Sequence, residues 1–245
     1  LAGDELRFMR QVATQSVAYS GIIKQKWDKS LKNLYTYPTT NLASQLKIVG
    51  ELIGGGLQTP VYLTTIGGFD THANQVVANA TNTGTHANLL RTVADAVAAF
   101  QKDLEKRGLA DKVVVMTFSE FGRRVSQNGT MGTDHGSAAP LFVIGSGVRG
   151  GVLGKNPALG DLDGNGDIKF EYDFRQLYAS ILQDHLGVET NTVQGIMGGK
   201  TFSTLPIFRQ STSRYVATNQ EFTFDQSGAN PFTTYTTLLY SHKKD

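Results

Sequence analysis

The first quarter of the chain has the hydrophobic periodicity of helices. Between about Asp4 and Leu57, apolar residues return every three or four positions, a spacing that places them on one helix face. Three consecutive glycines at 54–56 follow the last apolar positions and are typical of a helix end. We therefore expect a helical region over residues 1–57.

From residue 60 onward, short apolar runs alternate with amphipathic segments. Segments 89–107 and 174–186 have helical periodicity, and a glycine follows each of them. Three runs without charged residues predict buried strands: 61–66, 113–118 and 141–144. Strands that alternate with helices predict an α/β fold with a doubly wound, mainly parallel sheet over residues 60–208.

The end of the chain has a different pattern. Residues 209–245 are rich in Thr, Ser, Tyr and Phe, and segments 221–224 and 233–240 alternate like exposed strands around a turn at 227–230. This pattern predicts a β-rich tail with a hairpin. Exposed strands of this kind can pair with the edge of a partner's sheet or with a second copy.

Composition excludes several classes of protein. The chain has 23 Lys and Arg against 21 Asp and Glu, a net charge of +2, which argues against nucleic-acid binding through bulk charge. No apolar run approaches the roughly 18 residues of a membrane helix, so we expect a protein that does not span a membrane. Cysteine is absent, so a metal site would use carboxylate oxygens and imidazole nitrogens.

The start of the chain differs from that of a newly made protein. The first residue is Leu1 rather than Met, and no basic segment followed by an apolar one opens the chain. This start is expected of a mature product or a fragment.

Residues suited to metal binding or catalysis follow the predicted strands. In a parallel α/β sheet the ligand site lies beyond the carboxyl ends of the strands, so we expect these residues to meet at one edge. They predict a divalent metal site, because zinc and similar ions bind carboxylates and imidazoles. Any one of these groups of residues, taken alone, could instead be a surface turn or a surface ion pair. The groups are Asp70 with His72, Glu120 with Arg123 and Arg124, and Asp134 with His135.

Two further features have weaker functional interpretations. His86 lies in the polar stretch before a predicted helix and can reach the same edge as a group behind the ligands, whereas we interpret His185 and His242 as structural. Residues 161–167 have the oxygen spacing and the glycine of a calcium loop, but Tyr172 stands at the twelfth position, where such loops require Glu. An acidic turn is the favoured interpretation, and weak calcium binding is the alternative.

Five motifs in chain order resemble the domain of unknown function 1501 family, which is placed in the alkaline phosphatase and sulfatase superfamily. The resemblance covers about residues 60–208. The motifs are GGFDTHANQ at 67–75, SEFGR at 119–123, GTDHG at 132–136, GSGVRGG at 145–151 and DFR at 173–175.

The resemblance implies an alkaline-phosphatase-like doubly wound fold and a two-metal site that acts on phosphate or sulfate esters. Asp70, His72 and His135 match the ligands of one metal. Glu120 stands where the second metal takes an Asp, and Phe121 stands where it takes a His, so one ligand is missing. Zinc is the expected metal, with manganese or calcium as alternatives.

The resemblance also implies a first strand and a Ser or Thr nucleophile in an N-terminal part, where this chain has its helical region. We therefore expect residues 1–208 to be an incomplete domain of this type, with the nucleophile segment absent or on a second chain. The hydroxyls of Thr71, Ser119 and Ser137 lie near the predicted site but do not match a nucleophile turn.

Two functions follow from these observations. The first is a metal-dependent hydrolase of phosphate or sulfate esters, with Glu120 and Arg123 as catalytic residues and an arginine as the anion clamp. The second is a non-catalytic exported protein for binding or assembly, which keeps a structural metal site. The resemblance implies export through a twin-arginine signal, hence a periplasmic or cell-surface location.

Overall fold

The computed structural model describes residues 2–209. The chain divides into two compact units, Leu1–Asp173 and Phe174–Asp245, which are described separately below. Of the β-rich tail predicted over 209–245, all but the first residue lies outside the described residues.

The predicted N-terminal helices are present as α1, Ala2–Lys29, and α2, Asn41–Gly54. The side chain of Thr40 accepts a hydrogen bond from the backbone N–H of Ala43 and caps the start of α2. A Cβ atom at Gly55 would lie 1.8 Å from the carbonyl oxygen of Lys26, so only glycine lets the end of α2 meet α1 this closely.

The core of the first unit lies between α2 and α3, Thr85–Arg107, which contains the helix predicted at 89–107. Apolar side chains at helical spacing on the two helices face each other, because this arrangement removes both apolar faces from water. The buried members are Leu42, Ala43, Leu46, Ala96, Val97, Phe100 and Leu104.

A buried polar cluster fixes the segment between α1 and α2 to this core. Asp103 is 1% exposed, accepts a hydrogen bond of 2.9 Å from the hydroxyl of Tyr37, and lies 3.1 Å from Nε of Arg107. Arg107 also donates to the hydroxyl of Ser30 at 3.1 Å. Burial and the neighbouring Asp103 raise the pKa of Tyr37 far above its ordinary value. A buried charge is tolerated only when it is paired, so these residues hold one another in place.

The described residues contain two small sheets, and both are antiparallel. Strand β1, Val115–Met116, pairs with β4, Val143–Ile144, and β2, Gly122–Gln127, pairs with β3, Thr133–Gly136. The mixed α/β class is thus confirmed, but no parallel pair occurs in residues 2–209. A parallel pair requires a crossover connection, usually a helix. The chain between β1 and β4 instead contains the hairpin of β2 and β3, so β1 and β4 pair antiparallel.

The buried strand predicted at 61–66 is not formed. This segment has no regular secondary structure, and Val61 and Leu63 are 62% and 70% exposed. The side-chain amide of Gln45 accepts a hydrogen bond from the N–H of Thr65 and donates one to its C=O, each at 2.9 Å. These are the two backbone groups that a neighbouring strand would otherwise pair with. Ile66 still packs against the core of α2 and α3.

The described part of the second unit is helical. The helix predicted at 174–186 is present as α4, Phe174–Ser180, and a π-helical turn, Ile181–His185, and α5 is Thr190–Ile196. The buried hydroxyl of Ser180 accepts from the N–H of Leu205 at 2.8 Å and ties the following segment to α4. None of the helices in residues 2–209 combines the length and the apolar character that crossing a membrane requires.

Candidate metal centre

The segment that carries Asp70 and His72 runs beside the hairpin formed by β2 and β3. Backbone N–H groups of Asn74 and Gln75 donate to carbonyls at the hairpin tip, each at 3.0 Å. The N–H of Thr133 donates back to the C=O of Thr71 at 3.4 Å. The segment and the hairpin therefore form one hydrogen-bonded frame that holds residues from both predicted clusters.

Gly132 makes this close approach sterically feasible. A Cβ atom at this position would lie 2.2 Å from the carbonyl oxygen of His72 and 2.6 Å from that of Thr71. Any side chain would push the two segments apart, so the glycine that precedes the Asp134 and His135 cluster has a steric role.

Three ligand-type atoms meet in a compact triangle. Oδ1 of Asp70 lies 2.9 Å from Nε2 of His135 and 3.0 Å from Nε2 of His72, and the two Nε2 atoms are 3.1 Å apart. Among residues 2–209 this is the one group of three or more acidic, His or Cys side chains whose ligand atoms converge in this way.

The triangle has a size that suits a single divalent ion. Its corners lie about 1.7 Å from its centre, which is shorter than the roughly 2.0–2.2 Å bonds from zinc to imidazole nitrogen and carboxylate oxygen. One ion can therefore contact all three atoms from a position above the plane. Two imidazoles and one carboxylate form a donor set that zinc, iron and other divalent metals accept.

His72 is held from behind by Asp134. Nδ1 of His72 lies 3.3 Å from Oδ1 of Asp134, while its Nε2 faces the triangle. The same Oδ1 of Asp134 accepts from the side-chain amide of Asn128 at 3.3 Å. These hydrogen bonds, that of Asn128 first, lower the pKa of Asp134 and favour its ionised form.

His135 is oriented by packing. Its ring stacks on Phe121 with the ring centres 3.7 Å apart and the planes at 8°. The described residues provide no hydrogen-bond partner for its Nδ1. The two imidazoles of the triangle therefore have different supports, a carboxylate for His72 and an aromatic ring for His135.

Arg123 acts as the anchor of Asp70. Its guanidinium donates to the carbonyls of Phe69 and Thr133 at 2.6 and 2.8 Å and to Oδ1 of Asp70 at 3.0 Å, and its side chain is only 17% exposed. The hydrogen bond from His135, followed by the one from Arg123, lowers the pKa of Asp70. The side chain of Asp70 is therefore an anionic carboxylate at neutral pH.

The other two residues of the second predicted cluster lie apart from the triangle. Glu120 is exposed and does not belong to the converging group. Arg124 pairs with Asp167 at 3.2 Å and leaves its side chain partly exposed. The structure thus brings together Asp70, His72 and His135, places Asp134 behind His72, and leaves Glu120 outside.

Polar residues that the sequence did not single out complete the frame. Oε1 of Gln75 accepts from the hydroxyls of Thr71 and Thr133, at 2.9 and 2.8 Å. Asn128 and Thr130 both donate to the C=O of His72. The signal that was missed is the pair Asn128 and Gly129, a strong hairpin-turn dipeptide that places Asn128 at the tip.

His86 lies next to the anchor and away from the triangle. Its ring packs edge-on against Phe69, and burial, with a contribution from Arg123, lowers its pKa. Its Nδ1 is buried and has no hydrogen-bond partner in the described residues. His86 is therefore a neutral side chain that packs against Phe69. The carbonyl of Phe69 in turn accepts a hydrogen bond from Arg123.

The hydroxyls near the triangle are not arranged as nucleophiles. Thr71 is 4% exposed and donates to Gln75. Ser137 donates to the C=O of Ile168 at 3.1 Å, and Ser119 is exposed.

The acidic loop at 161–167 forms a turn closed by its own partners. Oδ1 of Asp163 accepts the N–H groups of Asn165 and Asp167, at 2.8 and 2.9 Å, and these bonds lower its pKa. Asp161 pairs with Lys169, and Asp167 pairs with Arg124. Oxygens that a calcium ion would need thus already have partners, which favours the turn interpretation.

Comparison with known proteins identifies one family. A family model described as a protein of unknown function (DUF1501) matches residues 57–202, which is more than half of the chain and includes every residue of the triangle and its frame. No curated protein and no solved structure matches the chain.

Proposed function

We propose, from the premise that this chain belongs to the DUF1501 family of proteins of unknown function, that it is a metal-dependent hydrolase of phosphate or sulfate esters. The proposed metal ligands are Asp70, His72 and His135. Their convergence within 3.1 Å is the observation that carries the proposal.

The convergence requires a proton or a cation between the three atoms. A carboxylate oxygen and two unprotonated imidazole nitrogens would all present lone pairs, and at these distances the lone pairs repel one another unless a proton or a metal lies between them. The proposal assigns that position to a divalent ion, which would polarise an ester oxygen and lower the pKa of a bound water.

The protein side chains then have separate tasks. Arg123 has three acceptors of its own, so we assign it to positioning Asp70 instead of clamping the substrate anion. Glu120 is exposed at the start of the hairpin and is free to act as a general acid or base, or as a ligand of a second ion. Its neighbour Phe121 is committed to the stack on His135.

Zinc is the proposed metal, with manganese or calcium as alternatives. The proposal includes kinship with alkaline phosphatases and sulfatases, although residues 2–209 do not form the doubly wound parallel sheet of those enzymes. It also includes an exported protein with a periplasmic or cell-surface location. The chain order of the Asp70, Glu120 and His135 motifs supports this kinship.

A specific observation favours a second candidate, a non-catalytic binding or assembly protein with a structural metal. Within residues 2–209, the one guanidinium that reaches the triangle, that of Arg123, donates to the protein's own oxygens, and the hydroxyls of Thr71 and Ser137 donate to other residues as well. A metal there would then hold segment 67–75 to the hairpin.

Elemental analysis of protein purified without chelator, followed by titration with zinc and manganese, tests the metal. We expect about one equivalent per chain, lost in Asp70→Ala and His135→Ala and kept in Asp161→Asn, which removes an exposed carboxylate elsewhere in the same unit. Absence of binding by the wild-type chain would overturn the metal centre.

Turnover separates the two candidates. With a metal-bound water as the nucleophile, we expect the metal-loaded chain to release p-nitrophenolate from p-nitrophenyl phosphate or sulfate, and Asp70→Ala to abolish that release. A chain that binds metal tightly, gains thermal stability and hydrolyses neither ester would overturn the hydrolase and establish the structural role.

A further inference from the structure

We propose that Asp134 and Asn128 are positioning residues, which fix His72 in the tautomer that presents a lone pair at Nε2. This inference rests on the metal centre proposed above. It assigns Asp134 to a place behind the ligand His72, whereas the sequence pattern favoured Asp134 as a metal ligand itself.

The first step concerns the orientation of the Asn128 amide. Its Oδ1 accepts the backbone N–H groups of Thr130 and Gly132, at 3.0 and 3.1 Å. Backbone N–H groups only donate, so this end of the amide must be the oxygen. The opposite end is therefore the NH₂ group.

The second step follows from that NH₂ group. It donates to the carbonyl of His72 at 2.7 Å and to Oδ1 of Asp134 at 3.3 Å. Asn128 thus holds both the backbone of His72 and the carboxylate that faces the ring of His72. A single side chain at the hairpin tip sets the distance between the two.

The third step concerns the proton on His72. A carboxylate accepts hydrogen bonds and does not donate them. Nδ1 of His72 has hydrogen-bond geometry with Oδ1 of Asp134 at 3.3 Å, whereas Nε2 lies 3.0 Å from Oδ1 of Asp70 without that geometry, so Nδ1 is the protonated nitrogen. A neutral imidazole has one N–H, which leaves a lone pair on Nε2. That lone pair faces Asp70 and His135 at 3.0 and 3.1 Å, where the ion is proposed.

His135 provides the internal contrast. It has no comparable acceptor at Nδ1 in residues 2–209, and its Nε2 lies 2.9 Å from Oδ1 of Asp70. In the metal-free protein its Nε2 therefore carries the proton shared with Asp70, and metal binding displaces that proton. His72 already has the tautomer that can bind a metal through Nε2, whereas His135 has to move its proton from Nε2 to Nδ1 before it can do so.

The test combines the tautomer of the metal-free protein with its affinity for zinc. Long-range ¹H–¹⁵N correlation spectra of the imidazoles at pH 8 distinguish a protonated from an unprotonated ring nitrogen. Zinc affinity is measured by competition with a chromophoric chelator. The variants are Asp134→Asn, Asn128→Ala and the control Asp161→Asn.

In the wild-type chain we expect His72 with the proton on Nδ1 and His135 with the proton on Nε2. Asp134→Asn and Asn128→Ala are expected to mix the tautomers of His72 and to weaken zinc binding about 10- to 100-fold, the usual effect of removing such a partner. Asp161→Asn should leave both readouts unchanged, and circular dichroism should show that all variants are folded.

Two results would overturn the inference. One is a His72 with the proton on Nε2 in the wild type, and the other is an unchanged tautomer and zinc affinity in Asp134→Asn. The tautomer is read without metal, so a chain that shows the expected tautomers but binds no zinc would refute the proposed function and leave the positioning role intact.

Discussion

Arg123 and His135 are register partners across β2 and β3, and both reach the same oxygen, Oδ1 of Asp70, at 3.0 and 2.9 Å. Residues opposite each other in an antiparallel pair project on the same side of the ladder. The hairpin register therefore places the guanidinium of Arg123 and the imidazole of His135 against one carboxylate, that of Asp70 in the neighbouring segment. A slip of one residue would send both side chains to the other face.

Removal of the Arg123 anchor should weaken the frame. Arg123→Ala loses three charge-assisted hydrogen bonds to Phe69, Asp70 and Thr133, and we expect a loss of about 1.5–3 kcal/mol in the free energy of unfolding. Arg124→Ala is the matched control, because its pair with Asp167 is more exposed and contributes about 1 kcal/mol or less. Urea denaturation measures both, and equal losses would contradict the anchor role.

Glycine at position 132 should be essential to the metal centre. In Gly132→Ala the new Cβ meets the backbone of Thr71 and His72, so the ligand segment has to move away from the hairpin. We expect zinc affinity to fall at least about tenfold. Gly129→Ala lies in the same loop with no atom within 4 Å of its Cβ and should bind zinc like the wild type. Unimpaired zinc binding by Gly132→Ala would refute this packing.

The buried charges between α2 and α3 should dominate the stability of the first unit. Asp103→Ala leaves the buried guanidinium of Arg107 without its partner, a change that typically costs about 3–5 kcal/mol. Lys102→Ala, one residue away, breaks only an exposed pair with Glu105 and should cost less than about 1 kcal/mol. Thermal unfolding monitored by circular dichroism separates the two, and similar midpoints would contradict the assignment.

The turn at 161–167 should contribute to stability in a pH-dependent way. Backbone N–H groups of Asp167 and Asn165 lower the pKa of Asp163 in the folded state, so its carboxylate stabilises the fold above its unfolded pKa of about 3.9. This contribution disappears as the pH falls through the lower folded pKa. We expect wild type to exceed Asp163→Asn in unfolding free energy at pH 6 and the gap to narrow below about pH 4. A gap independent of pH between 3 and 7 would disprove this role.

The hydrophobic pattern of single segments and the order of the motifs along the chain were sufficient to predict the main helices and the three residues of the triangle. Helices α2 and α3 follow from apolar spacing that the core then uses. The convergence of Asp70, His72 and His135 was predicted from their positions after apolar runs. The edge invoked for that convergence, however, belongs to a parallel sheet that residues 2–209 do not form. The residues meet because the hairpin of β2 and β3 folds over segment 67–75.

The remaining errors have physical causes that composition does not reveal. Segment 61–66 has strand-forming residues, but strand formation also depends on a hydrogen-bonding neighbour, which pattern analysis of one segment cannot supply. Asp134 and His135 are adjacent in sequence, so their side chains leave β3 on opposite sides and receive different roles. Asn128 was missed because its contacts with His72 and Asp134 arise only once the hairpin of β2 and β3 has formed.

Gln45 covers the backbone of the strand-forming segment 61–66 at one residue, Thr65. A side-chain amide has the same donor and acceptor as a peptide group, so the paired contacts of Gln45 with Thr65 occupy the groups that an incoming strand would use. Exposed apolar segments with unpaired backbone groups are the usual starting points of intermolecular sheet growth. Through these two contacts Gln45 on α2 occupies the backbone donor and acceptor of Thr65, twenty residues away, which an incoming strand would otherwise pair with.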